Sequence, residues 1–206
     1  MSDAREVLSW HAELAGEVEP HPAFTLYRDS TALLVIDLQE RLASAMPPKV
    51  WAQVQKNTEI LLQIAARLGI PVITSEQYPK GLGPTVEGVR EQLPEGAVCF
   101  EKTDFCCGDR PELTGTLKRM GRRQIIVVGQ ETHICVFQTV RQLVEQGYFV
   151  HVVQDGCCSR TKQNWQAGLS LMSQLGATVT TTEVVAFDLV KSADHPDFKF
   201  VSKLVK

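Results

Sequence analysis

Three residues in this sequence have the chemistry of a nucleophile and its supports, and they fall at corresponding places. Asp37 ends the apolar run TALLVID, Lys102 ends AVCFEK, and Cys135 follows IIVVGQETHI. Each stands at or just beyond the C-terminal end of a candidate strand. In open α/β sheets, ligands bind outside the carboxyl ends of the strands, near a topological switch point. If the three strands are neighbours, an acid, a base and a thiol share one crevice. A thiol attacks a carbonyl as its thiolate. A helix beginning near Cys135 offers free N–H groups and a favourable dipole to that anion, and a nearby lysine adds positive charge. Backbone N–H groups around the turn can hold a developing oxyanion. Asp37 can take the thiol proton and pass it to a leaving group.

Each residue has a plainer role as well. Asp37 alone caps the turn after its strand. Lys102 alone is a surface lysine, and Cys135 alone is a small buried hydrophobe. His133, two residues before the cysteine, packs or caps rather than serving as the base. The convergence of three suitable groups on one sheet edge is what favours chemistry.

The elements that must position them recur as one unit: a helical segment, a glycine, then a β-rich apolar run. It appears as ARLG-IPVIT, KRMG-RRQIIVVG, VEQG-YFVHVV and SQLG-ATVTT, with glycines at 69, 121, 147 and 176. Glycine near a helix C-terminus takes the left-handed cap without a Cβ clash. The runs after it are β-branched and do not alternate cleanly, as expected for strands covered on both faces. Helices are predicted over 50–68, 111–120, 134–146 and 161–175. Pro111 suits a first helical turn. Asp155-Gly156 reads as a turn. Strands alternating with helices give an α/β fold with a mostly parallel sheet.

The chain has 206 residues, which suits one domain. Residues 1–30 read as an N-terminal extension, and 31–206 as the single domain. A formal net charge of −3 and the absence of a Lys/Arg cluster argue against a nucleic-acid partner. No apolar run approaches the roughly 20 residues that span a membrane. The N-terminus has neither a secretory nor a transit pattern, so the expected location is cytoplasmic. There are six cysteines, at 99, 106, 107, 135, 157 and 158, with no C-x-x-C spacing. They read as free thiols rather than zinc ligands. The vicinal pairs 106/107 and 157/158 raise a redox-sensing alternative. The Gly81-Leu82-Gly83 segment lacks dinucleotide-loop spacing.

Three motifs, in order, resemble the isochorismatase-like cysteine hydrolases: LLVIDLQERL, CFEKTDFCCG and VVGQETHICVFQT. The likeness runs from about Thr31 to Val190. It implies a three-layer α/β/α sandwich around a six-stranded, Rossmann-like sheet, with Asp37, Lys102 and Cys135 as catalytic triad. It implies a cis peptide at Gln130–Glu131, with the N–H groups of Glu131 and Cys135 forming the oxyanion hole. By the same resemblance Gln77, Tyr78, Phe105 and Gln130 line the substrate pocket, and the chain forms a homo-oligomer, a dimer, tetramer or larger. Nicotinamidases of this family carry an Asp and histidines after the second strand. PVITSEQYPKGLGPTV has neither residue type, so no metal and no cofactor are expected. This segment is most similar to isochorismatase-domain hydrolases whose substrates are largely unknown. Where many relatives have a serine, this chain has Cys106, a second thiol near the site. The reading is a metal-independent hydrolase of a small amide or carbamoyl compound. The alternatives are a catalytically silent binding protein of the same fold and a vinyl-ether hydrolase, which the presence of Cys135 disfavours.

Overall fold

Six apolar runs pair into one parallel sheet. The strands are β1 (Thr31–Ile36), β2 (Val72–Gln77), β3 (Val98–Lys102), β4 (Gln124–Gln130), β5 (Phe149–Cys158) and β6 (Thr178–Thr180), in the order β3-β2-β1-β4-β5-β6. The computed structural model describes residues 21–206. Most of the expected N-terminal extension, residues 1–20, lies outside the described residues. Residues 21–30 pack on the domain: Leu26 is buried, its N–H donates to the Asp188 carboxylate at 2.5 Å, and the Tyr27 N–H donates to the Gln124 side chain at 2.8 Å.

Parallel neighbours cannot be joined by a tight turn, so helices make the crossovers. They are α1 (Glu40–Ser44), α2 (Pro48–Leu68), α3 (Pro79–Leu82), α4 (Glu87–Arg90), α5 (Pro111–Arg119), α6 (Phe137–Glu145) and α7 (Lys162–Gln174); α8 (Thr182–Val190) and α9 (Phe198–Leu204) follow the last strand. The α2 helix opens on Pro48 and stops at Gly69, whose φ of 67° is the left-handed cap its sequence predicts. Thr161 caps α7 by accepting from the Asn164 N–H.

Every residue of β1 is buried, and alternate side chains serve two cores. Leu33 and Val35 join Leu61 and Leu68 of α2 and Val185 of α8. Ala32, Leu34 and Ile36 join Leu117 of α5, Val140 of α6 and Met172 of α7. That is the three-layer α/β/α sandwich, and it explains the unbroken apolar runs. The chain steps from β1 to β2 to β3 on one side, then returns to place β4 on the other side of β1. The C-terminal ends of β1 and β4 therefore flank the switch point.

Two local expectations change. Asp155-Gly156 is not a turn but part of a ten-residue β5. The β4–β5 register shifts past Val127 so that Gly129 pairs with Cys157. A Cβ on Gly156 would stand 2.6 Å from Val128 Cγ1, so only glycine lets the shifted strand pass there. The helix predicted over 134–146 is α6 preceded by a π-helical turn at Thr132–Val136 that holds Cys135. Among the described residues, no helix is long and apolar enough to cross a membrane.

Candidate active site

Asp37 is the first residue beyond β1, and its φ of 52° is unusual for a side chain other than glycine. It is fully buried. Its N–H donates to the Ser75 carbonyl of β2 at 3.1 Å, and its own carbonyl accepts from the Gln39 N–H at 2.8 Å. The Gln130 amide adds a third tether, donating to the Asp37 carbonyl at 3.1 Å. These bonds point the carboxylate along the top of the sheet.

Lys102 ends the edge strand β3, in register with Gln77 of β2. Its aliphatic stem crosses the end of β2 and brings Nζ to 2.7 Å from Asp37 Oδ2. The other two donors of the ammonium go to Gln77 Oε1 at 2.7 Å and to the Phe105 carbonyl at 3.2 Å. Both side chains of the Asp37–Lys102 ion pair are excluded from solvent. The second oxygen, Asp37 Oδ1, accepts from Ser75 Oγ at 2.7 Å. The Cys135 thiol lies close enough to this carboxylate for each to shift the other's protonation. Three strands and one turn thus bring Asp37, Lys102 and Cys135 together at the switch point.

Burial raises the Asp37 carboxyl above its usual range, and the opposing Lys102, Ser75 and Cys135 do not fully offset it. Burial works against the Lys102 charge, but Asp37, helped by the Cys107 and Cys135 sulfurs, carries the ammonium above its ordinary value. The Cys135 thiol is pushed well up, first by burial and then by the neighbouring Asp37 charge, which outweighs Lys102. Burial and the Asp37 charge thus favour the neutral thiol of Cys135, beside a carboxylate able to take its proton.

The Gln130–Glu131 peptide is cis. The Glu131 side chain turns away from the triad: its carboxylate accepts from the Arg160 backbone N–H at 2.9 Å and from Arg160 Nε at 3.1 Å. Cys135 follows in the π-helical turn, which leans on α7. A Cβ on Gly168 would stand 2.9 Å from the Thr132 carbonyl oxygen and 3.1 Å from His133 Cα. His133 faces outward from the triad and bonds through Nδ1 to Ser159 Oγ at 3.0 Å.

Comparison with known proteins places the chain in a family. The isochorismatase domain model matches residues 31–184. The chain belongs to the isochorismatase family. Isochorismatase domain-containing protein 1 of Salmo salar is 38% identical over 178 residues, 86% of this chain and 61% of that protein. The chain thus spans about three fifths of that relative's length. Isochorismatase domain-containing protein 2 of Bos taurus is 35% identical over 86% of this chain and 83% of its own length. Among solved structures, one described as MAR1 ribonuclease from Caenorhabditis elegans superposes with a TM-score of 0.83 at 40% identity, covering 88% of this chain and 92% of that one.

The four residues assigned to the pocket by family resemblance occupy different environments. Tyr78 and Phe105 have exposed side chains, 54% and 52% accessible. Tyr78 sits in the left-handed region with φ 37°, its ring over Gly81. Gln77 and Gln130 are buried and hold the frame: Gln77 braces Lys102, and Gln130 braces Asp37. A cleft of about 370 Å³ adjoins the site, lined by Tyr78, Lys80, Glu101, Lys102, Thr103 and Arg110. A roomier cavity of about 500 Å³ at the end of β5 includes no triad residue. The smaller cleft is the better candidate approach for a substrate, because it reaches Lys102.

Three members of this site's frame had no sequence signal: Gln39, Ser75 and Cys107. Ser75 and Gln39 lie in β-rich or loop text where polar residues are ordinary. The second thiol near the site is Cys107 rather than Cys106. Cys107 Sγ meets Ser75 Oγ at 3.5 Å, whereas Cys106 Sγ contacts the Gln138 carbonyl at 3.4 Å. Burial pushes the Cys107 thiol up to about 11. The vicinal cysteines 157 and 158 pack in different cores on opposite sheet faces, so their thiols point apart. Among the described residues, no group of three or more His, Cys, Asp or Glu side chains is arranged to hold a metal.

Proposed function

We propose that this protein hydrolyses the C–N bond of a small amide or carbamoyl compound, with Cys135 as nucleophile. The observation that carries the reading is the Asp37 carboxylate, held at 2.7 Å by Lys102 and close enough to the Cys135 thiol to shift its protonation. A carboxyl raised by burial is a stronger base than a solvated one and suits proton transfer near neutral pH.

As Cys135 Sγ bonds to the carbonyl carbon, its proton passes to Asp37. Charge gathers on the carbonyl oxygen, which the N–H groups of Glu131 and Cys135 stabilise. Asp37 returns the proton to the leaving nitrogen as the C–N bond breaks, releasing ammonia or an amine and leaving a thioester. Water then loses a proton to Asp37, attacks the thioester carbon and frees the acid, and the proton returns to sulfur. Lys102 has all three donors engaged, so its role is to hold Asp37 and to keep the site neutral. Exposed Tyr78 and Phe105 flank the mouth and contact the substrate. The chain works as a homo-oligomer in the cytoplasm.

The test is a panel of primary amides and N-carbamoyl compounds followed by ammonia release, with hydroxylamine trapping of the acyl-enzyme on Cys135. Cysteine-dependent turnover is expected. If Cys135→Ala retains the wild-type rate, the assignment is wrong. If no compound is turned over and none modifies Cys135, a binding protein of the same fold takes its place.

The name of the Caenorhabditis elegans relative raises a second reading, cleavage of RNA. This chain's net charge of −3 gives it no electrostatic footprint for a phosphate backbone. Single-stranded RNA is expected to survive incubation with the purified protein.

A further inference from the structure

A cavity of about 500 Å³ opens at the C-terminal end of β5, between the first turns of α2 and α7. Pro47, Val50 and Val54 form one wall and Trp165 the other. The Trp165 indole N–H donates to the Gln154 carbonyl at 3.1 Å, which fixes the plane of the ring. Val50 is 41% exposed, an apolar side chain facing open space. The volume falls within the roughly 300–1,000 Å³ typical of small-molecule sites, which are mostly apolar with a few placed polar groups.

The polar lining residues are Gln53, Gln154, Asp155, Ser159 and Lys162, and they are unequally committed. Asp155 lines the cavity, but its Oδ1 accepts from the N–H and the hydroxyl of Thr182 at 2.9 and 3.0 Å, so it serves as the cap of α8. Ser159 is buried and bonded to His133. Lys162, exposed at the rim in the first turn of α7, has no hydrogen bond or ion pair among the described residues. The cavity therefore combines a fixed aromatic wall, an aliphatic wall and one uncommitted cation.

We propose that this cavity is a binding site for a monoanionic aromatic compound, an arylcarboxylate, with its ring between Trp165 and Val50/Val54 and its carboxylate at Lys162. Offset or edge contacts with Trp165 favour a flat ring. The apolar wall disfavours a fully hydrated ion, and Lys162 draws the carboxylate to the rim, away from Asp155, whose Oδ1 is taken up by the α8 cap. The site is separate from the triad, so the proposal stands whether or not the amide reading holds. The Ser159–His133 bond ties its wall to the turn that carries Cys135, so an occupant bears on that turn.

The test is isothermal titration of the full chain with 2-naphthoate and with its neutral match, 2-naphthamide. Saturable 1:1 binding is expected, tighter for the carboxylate by about fivefold, the size of an exposed ion pair. Val50→Trp, which fills the open side of the cavity, is expected to abolish binding of both. Lys162→Gln is expected to bring the carboxylate down to the amide. The proposal is overturned if 2-naphthoate does not saturate, if both probes bind equally to wild type, or if both substitutions leave binding unchanged. It is also overturned if sedimentation shows a self-association that Val50→Asp dissolves, for then a second copy of the chain covers the cavity.

Discussion

The side chain of Gln39 pairs with the main chain of Gln77 as a neighbouring strand would. Its Oε1 accepts from the Gln77 N–H at 2.7 Å and its Nε2 donates to the Gln77 carbonyl at 3.0 Å. The Gln77 amide then donates to the Thr103 carbonyl at 2.7 Å and turns its Oε1 to Lys102. A buried glutamine pair thus aims the lysine that aims the carboxylate. Gln77→Leu is expected to leave an ammonium donor unpaired and to cost about 1–3 kcal/mol of stability. In a steady-state assay kcat should fall with little change in KM, because Gln77 braces Lys102 and does not reach the substrate; a pure KM effect would return it to the pocket wall.

On the proposed mechanism Asp37 is the base and must be ionised, so activity should be lost as pH falls through its raised pKa, above the ordinary carboxylate range. The Ser75 hydroxyl lowers that pKa by donating to Oδ1. Ser75→Ala removes the donor and should move the acid limb of kcat/KM to higher pH. A limb that stays in place or moves down would show that another group is titrating.

Lys102→Met leaves a carboxylate buried without its cation. A broken buried pair costs roughly 3–5 kcal/mol, whereas replacing both partners is far milder. Thermal unfolding should therefore rank Lys102→Met well below the double variant Asp37→Asn, Lys102→Met. Both should be inactive, since neither keeps an oriented base.

His151 predicts the acid stability of the fold. It is buried, and burial holds its pKa below the ordinary value, while its Nε2 meets the Pro22 carbonyl at 3.3 Å. A lowered folded-state pKa means that the unfolded chain binds the proton first. Stability should thus decline as pH falls below about 6.5 toward the folded-state value. In urea titrations between pH 7 and 5, His151→Gln should flatten that decline; an unchanged slope would assign it to other groups.

Two helix glycines should respond to alanine with opposite signs. Alanine favours a helix over glycine by about 1 kcal/mol. At Gly115 of α5 the added methyl meets only the movable Arg119 side chain, at 3.3 Å, so Gly115→Ala should stabilise. At Gly168 of α7 it meets the Thr132 backbone at 2.9 Å. Gly168→Ala should therefore displace the nucleophile turn, lower kcat at least tenfold and slow alkylation of Cys135 relative to that of Cys99. Equal behaviour of the two variants would remove Gly168 from the positioning of Cys135.

The layered α/β architecture was legible because its determinants are local. Apolar β-branched runs such as TALLVI and IIVV have one satisfactory environment, a strand covered on both faces, and Gly69 or Gly147 can only end what precedes it. The identities of Asp37, Lys102 and Cys135 were legible for the same reason: the first two stand at strand ends, where the register with the apolar run fixes their level, and Cys135 stands in the turn that follows β4. Gln39, Ser75 and Cys107 were not, because nothing local marks a glutamine that mimics a strand or a serine that turns toward a carboxylate just past a neighbouring strand. The resting state of the thiol was not legible in sequence for a related cause. Helix position and a nearby lysine argue for a thiolate, but burial and the distance to Asp37 decide the sign, and both depend on the closed tertiary fold. Sequence alone determined which elements form and which reactive groups they carry to the sheet edge. The tertiary structure decided how those groups are paired, buried and protonated, since desolvation and hydrogen-bond geometry arise only when distant segments meet.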